Sequence, residues 1–265
     1  MRRLACVAGA AALVVAACGG SSGGTPPAAA DEVVLRVLSR GGFAAESRQR
    51  AKLPRLSVYG DGRVITLGPT TLEYPGPALP NLQEFRLTRR GLARVVDGAR
   101  DAGLLDDPPP DYGDSGVTDQ ATTTVTVGVG GRTRRVDVYA LGFSDGLTAQ
   151  QRENRARLER LIQRAGDPGA LRPFVVPGSE RRYESATLAV LVRPTDMGDG
   201  NVHAWPLGDL AGTDCVLLTG ADVTTAMTAA RSAHDGDTWT SAGATYDLDF
   251  RPLLPDEQSC NDVAR

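Results

Sequence analysis

The chain has 265 residues, 41% of them hydrophobic and 23% charged, a balance that excludes a disordered or collagen-like polymer and points to a globular protein. A formal net charge of −3 leaves no electrostatic footprint for nucleic acid, and no nucleic-acid partner is expected. Nearly every basic residue is arginine, with Lys52 the sole lysine; alongside abundant Ala, Gly and Pro this reflects GC-rich codon usage rather than a surface selected for bidentate anion contacts.

Met1-Arg2-Arg3 is a short positive stretch, and residues 4–17 form an uncharged apolar run of h-region length, too short to span a bilayer comfortably. The run ends in Val15-Ala16-Ala17-Cys18, followed by Gly19-Gly20-Ser21-Ser22. These four positions resemble the bacterial lipobox: an aliphatic residue and two small ones before the cysteine that becomes the new N-terminus. The resemblance implies that residues 1–17 leave as a signal peptide, taking Cys6 with them. It also implies that Cys18 carries a thioether-linked lipid and that the protein is held on the outer face of the cytoplasmic membrane. One acyl chain anchors marginally, at about 0.8 kcal/mol per buried methylene, so stable attachment takes two or more. Residues 18–32 then read as a flexible tether.

Export leaves Cys215 and Cys260, and two thiols in an oxidising compartment most simply form one disulfide. The bridge would close a loop of about 45 residues, worth about 3–4 kcal/mol in the chain-entropy model. No CxxC pair accompanies them, so neither a metal site nor a cofactor is expected.

In the mature chain, residues 33–39 read as a strand. Residues 56–59 and 63–67 read as a hairpin turning at Asp61-Gly62, a strong short-range turn signal. A proline-rich loop over residues 69–81 suits no sheet interior. Thr88 suits a helix N-cap, with Leu87 placed to staple to Leu92. Leu92, Val95, Val96 and Ala99 make one apolar stripe, and Gly103 with Leu104 supplies the stop. After a polar loop over residues 106–120, residues 122–129 and 132–139 form a second hairpin at Gly130-Gly131, with one buried face. Thr148-Ala149-Gln150-Gln151 is a capping box opening a helix to about residue 165, charged in its first half and apolar at Leu158, Leu161 and Ile162.

Asp167-Pro168-Gly169 marks the expected boundary between an N-terminal domain, residues 33–167, and a C-terminal one, residues 168–265. Beyond it, residues 187–192 and 215–219 read as strands, with Asp222 capping a helix to about residue 233. A hairpin centred on Gly243 leads to residues 245–251, where Tyr246, Leu248 and Phe250 alternate with Asp247, Asp249 and Arg251. The expected class is α+β, with antiparallel sheets backed by helices. Each half can be written hairpin, helix, hairpin, which suggests two related ββαββ-type units.

Candidate chemistry is sparse. His203 and His234 lie in turn-rich stretches, and Asp235 beside His234 makes no triad, so both histidines read as surface or structural residues. No S-x-x-K set is present, since Gln49 stands three residues before the sole lysine, Lys52. The stretch from Asp196 to Asn201 has the wrong spacing for a calcium loop, with Leu207 at the twelfth place, and reads as a turn. Gly41-Gly42 has no strand-to-helix context for a phosphate loop. Asp111, Asp114 and Asp119 could converge on a cation or serve glycoside hydrolysis, but local capping is the favoured reading. The proline-containing segments at Pro75–Pro80 and Arg251–Glu257 read as covers for sheet edges, with recognition surfaces the alternative.

Several of these features together resemble an uncharacterised family of actinobacterial lipoproteins. They are Tyr59-Gly60-Asp61-Gly62-Arg63-Val64-Ile65, Tyr74-Pro75-Gly76-Pro77, Val117-Thr118-Asp119, and the Arg251–Glu257 segment with Cys260. The resemblance covers most of the mature chain and implies origin and location without an activity. The expectation is a non-enzymatic, lipid-anchored binding or interaction module with an envelope protein or glycan as partner. The alternative is an envelope glycan or peptide hydrolase using the carboxylates of residues 111–119.

Overall fold

The computed structural model describes residues 29–43, 46–196 and 200–263. The signal segment, Cys18, most of the expected tether and part of the 196–201 turn lie outside the described residues. In chain order the first half contributes β1 (Val33–Gly41), α1 (Glu46–Gln49), β2 (Leu56–Tyr59), β3 (Arg63–Leu67), β4 (Leu82–Arg86), α2 (Arg89–Asp101), β5 (Ala121–Val129), β6 (Arg132–Tyr139) and α3 (Ala149–Gly166). The second contributes β7 (Arg181–Arg182), β8 (Thr187–Pro194), β9 (Val202–Ala204), β10 (Cys215–Thr219), α4 (Ala221–Ala230), β11 (Thr238–Ser241), β12 (Ala244–Pro252) and α5 (Cys260–Val263). The class is α+β. A seven-stranded antiparallel sheet has the order β6-β5-β1-β2-β3-β4-β7, and a five-stranded sheet the order β10-β8-β12-β11-β9. In the smaller sheet β9 runs parallel to β11.

Alternation decides the faces of the large sheet. Leu35 and Val37 of β1, Val125 and Val127 of β5, and Val136 and Val138 of β6 all join one core with Val95 and Ala99 of α2 and Leu158 and Ile162 of α3. The residues between them on these strands therefore point to the opposite face. Helix α2 begins as its sequence predicts, with the Thr88 hydroxyl accepting from Gly91 N–H. It ends in a left-handed stop: Gly103 has φ +76°, Gly103 N–H donates to the Arg100 carbonyl and Leu104 N–H to the Ala99 carbonyl, the double bond of a Schellman motif. Both halves of the α3 capping box form between Thr148 and Gln151.

The hairpin turns follow from glycine. Gly62 has φ +87°, and a Cβ there would come within 2.5 Å of the Leu87 carbonyl oxygen, so both backbone angle and space require glycine. Gly130 and Gly131 have φ 61° and 73°, the double left-handed turn that matches strand twist.

The smaller sheet packs Leu188, Val190, Tyr246, Leu248 and Phe250 against Trp239, Trp205 and Ala226 and Ala230 of α4. Its other face meets the large sheet. Leu254 packs on Tyr59, Ile65 and Leu82, and Leu253 joins Ala189, Leu191 and Val263. The layers run α2/α3, large sheet, small sheet, α4. Leu254, in a proline-containing segment, is thus an apolar joint between the sheets, while Leu253 beside it packs on β8 and α5. Arg251 in the same segment is 2% exposed instead of alternating outward.

Strands β4 and β9 and helix α4 are among the elements that depart from the sequence reading. Strand β4 was hidden because Glu84 is buried in its middle, held by Arg181 of β7 at 2.8 Å; an acid at a core position breaks the period-two pattern. Strand β9 is too short to carry a pattern. Helix α4 is capped by Gly220, which makes no side-chain cap bond, while Asp222 sits inside the first turn, where a carboxylate complements the helix dipole; the helix closes at Ala230.

Residues beyond 168 also complete the large sheet. Val176 N–H donates to the Arg86 carbonyl, and β7 pairs with β4. The two units share an element order but not a pairing. The final hairpin docks on β1 through its first strand, β5, whereas its counterpart docks on β8 through its second strand, β12.

Candidate functional site

The face of the large sheet turned away from α2 and α3 is only partly covered by the small sheet. Where cover ends, a cleft of about 730 Å3 opens. Its floor is the outward set of β1 and β5, with Arg36 and Arg40 beside Thr122, Thr124 and Thr126, and β6 adds Arg135 and Asp137. Its roof is the C-terminal segment, with Arg251, Asp256, Glu257 and Val263.

Two ion pairs build the walls. Arg36 grips Asp256 bidentately at 2.9 and 2.6 Å and also donates to the Tyr59 hydroxyl at 3.1 Å and Ser57 Oγ at 3.1 Å. The Tyr59 hydroxyl donates to Asp256 at 3.0 Å. Burial works against the Arg36 charge, but the hydrogen bond to Asp256 and the fields of Tyr59, Asp256 and Glu257 outweigh it, so its pKa is raised. Burial pushes the Tyr59 hydroxyl pKa well up, with Asp256 adding to it, so both groups stay in one protonation state. Arg251 holds Glu257 with bonds of 2.7 and 3.1 Å, and Glu257 also accepts from Leu254 N–H at 2.7 Å. Burial, then the neighbouring charges of Arg251 and Arg135, lower the Arg40 pKa. Cations therefore crowd this part of the cleft.

The two histidines meet on a residue the sequence did not single out. Asp237, buried at the start of β11, accepts from Asn201 N–H at 2.9 Å, from His234 N–H at 2.9 Å, and lies 2.8 Å from His203 Nε2. Burial alone would raise its pKa, but the backbone bond from His234, the His203 ring and the bond from Asn201 bring it below the usual carboxylate value. The His203 ring lies against Trp239 with centroids 4.9 Å apart. Asp235, the neighbour the sequence suggested, turns away to pair with Arg48. Among the described residues no three of His, Cys, Asp and Glu gather as a metal site would.

The 111–119 loop is organised from inside. Asp111 accepts from Gly113 N–H at 2.8 Å and from Gln151 at 2.8 Å, and Asp114 accepts from Gly116 N–H at 2.9 Å. The bonds from Gln151 and Gly113 hold the Asp111 pKa below its ordinary value. Asp119 has φ 58°. Neither the 730 Å3 cleft nor the groove on the helix layer is lined by a residue of this loop. What holds the loop is Arg155 of α3, 3% exposed, which donates to the carbonyls of Tyr112, Gly113, Tyr139, Ala140 and Phe143 at 2.6–3.1 Å.

The proline-containing loop before β4 reaches the small sheet, with Ala78 N–H donating to the Ala233 carbonyl and Asp235 N–H to the Gly76 carbonyl. Cys215 and Cys260 form the expected disulfide, which ties α5, at the end of the cleft roof, to β10. Among the described residues no helix is long and apolar enough to cross a membrane. The signal missed for the cleft was the set of Arg36 and Arg40 on β1 with Thr122, Thr124 and Thr126 on β5, each alternating with aliphatic or small neighbours. No family model matches the chain, and neither a curated protein nor a solved structure matches it.

Proposed function

We propose that the chain is an exported protein anchored by lipid on Cys18 at the outer face of the cytoplasmic membrane, and that it acts there as a non-enzymatic binding module. Its ligand is an envelope glycan or envelope protein that enters the cleft through polar, anionic groups. The lipobox residues, the Gly/Ser run behind Cys18 and the resemblance to actinobacterial lipoproteins support the anchoring.

The cleft carries the binding reading. Threonine hydroxyls on its floor can both donate and accept, and arginine forks suit carboxylates and phosphates bidentately. Its walls are already ordered by the Arg36–Asp256 and Arg251–Glu257 pairs, so little side-chain freedom is lost when a ligand arrives. Titration calorimetry of the mature chain with acidic cell-wall glycan fragments tests this. Saturable binding is expected, weakened about tenfold (~1.4 kcal/mol) by Thr126→Val with Arg135→Gln. Binding indifferent to these two changes, or no saturable binding, removes the cleft. Intact-mass analysis of native protein showing Cys18 unmodified removes the anchor.

A further inference from the structure

The outer surface of the helix layer takes no part in the cleft. Between α2 and α3 runs a groove of about 400 Å3 whose floor is apolar, including Val95, Leu161, Leu171 and Phe174. Arg94 stands on one rim and Arg157, Arg160 and Arg164 on the other. The acids lining it are Asp97 and Asp101, and Asp97 is held by Arg100 at 2.7 Å. Arg94 lies over the Phe174 ring, 5.7 Å from its centroid. Arg89, Arg90 and Arg164 are exposed and make no ion pair among the described residues. An apolar floor under a cationic rim is the chemistry of a site for an amphipathic anion.

Two further observations identify the occupant. The first is the sorting of charge: residues 33–167 carry 20 basic and 16 acidic side chains, and residues 168–265 carry 7 and 14. The positive half includes the helix layer, and the negative half lies across the large sheet from it. The second is where the tether joins the fold. The Ala30 carbonyl accepts from Asp61 N–H at 3.2 Å, the Gly62 carbonyl from Leu87 N–H at 2.8 Å, and Thr88 N–H donates to the Phe174 carbonyl at 2.8 Å. The chain thus enters the fold three backbone hydrogen bonds from the groove. The eleven residue steps from Cys18 to Ala29 can reach at most about 40 Å, which keeps the fold near the lipid surface.

We infer that the α2–α3 groove and its arginine rims dock on anionic phospholipid headgroups of the membrane that holds the anchor, pressing the helix layer to the bilayer and turning the cleft outward. The inference rests on the anchoring reading for its biological setting, but its test uses a chain without lipid. Mature protein carrying Cys18→Ser is sedimented with vesicles of phosphatidylglycerol and phosphatidylcholine in equal parts, and with vesicles of phosphatidylcholine alone. Binding is expected to the anionic vesicles and to fall as salt is added. Combined Arg90→Gln, Arg94→Gln and Arg164→Gln should weaken it about a hundredfold, at about fivefold per arginine. Arg132→Gln with Arg231→Gln, away from the helix layer, should change it less than about twofold. Equal partition onto both vesicles, no binding to either, or a triple variant that binds like its parent overturns the inference. Failure of the anchor would appear separately, in the mass of the native protein.

Discussion

Asp237 concentrates several competing effects in one side chain. Its carboxylate is 2% exposed, a setting that penalises charge, yet three donors reach it and its pKa falls below the ordinary value. A depressed carboxylate stabilises the fold above the unfolded-state pKa of about 3.9, and that contribution disappears as pH drops through the folded-state value. Asp237→Asn is therefore expected to cost about 1–3 kcal/mol at neutral pH, with the deficit narrowing below about pH 4. Urea unfolding at a series of pH values measures this, and a deficit constant down to acid pH contradicts it. Locally, Asp237 accepts from His234 N–H three positions back, a bond that composition alone does not reveal. The choice of Asp237 over Asp235 is made by where β9 brings Asn201 and His203, over thirty residues earlier.

At the scale of elements, helix ends and hairpin turns were legible because their chemistry is local. Thr88, Gly103, Thr148 with Gln151, and Gly130-Gly131 act on backbone groups within about four positions. The faces of α3 were less so. Its first half reads as a solvated charged stretch, and Arg155 in it looks like any other surface arginine. Instead it is the peg that joins α3 to the 111–113 loop and to the end of β6. Burial lowers its pKa, though Asp114 and Glu159 favour the charge. Replacing it with methionine keeps the stem and orphans the carbonyls it satisfies. Arg155→Met should cost about 3–5 kcal/mol in denaturant unfolding and open the 111–116 loop to limited proteolysis. A cost below about 1 kcal/mol would show the carbonyls to be satisfied in another way.

For the whole molecule, the joint between the sheets matters most. It combines the packing of Leu254 on Tyr59, Ile65 and Leu82 with the Arg36–Asp256 pair, and the Cys215–Cys260 bridge, 45 residues apart in sequence, fastens the end of the same segment to β10. Cross-linking so distant a pair restricts the unfolded chain by about 3–4 kcal/mol. Cys215→Ser with Cys260→Ser is expected to lose about that much in urea unfolding. It should also free α5 and the cleft roof, seen as faster amide hydrogen exchange over residues 256–263 than in β12. Uniform exchange across both segments would contradict this.

The α+β class, the hairpin turns and the helix caps could be read along the chain, since each depends on near neighbours. The burial of Leu253, Leu254 and Arg155, the meeting of both histidines on one carboxylate, and the cleft floored by β1 and β5 all follow from contacts distant in sequence. A side chain's burial depends on what is brought against it from dozens of residues away, and local periodicity carries no record of that partner.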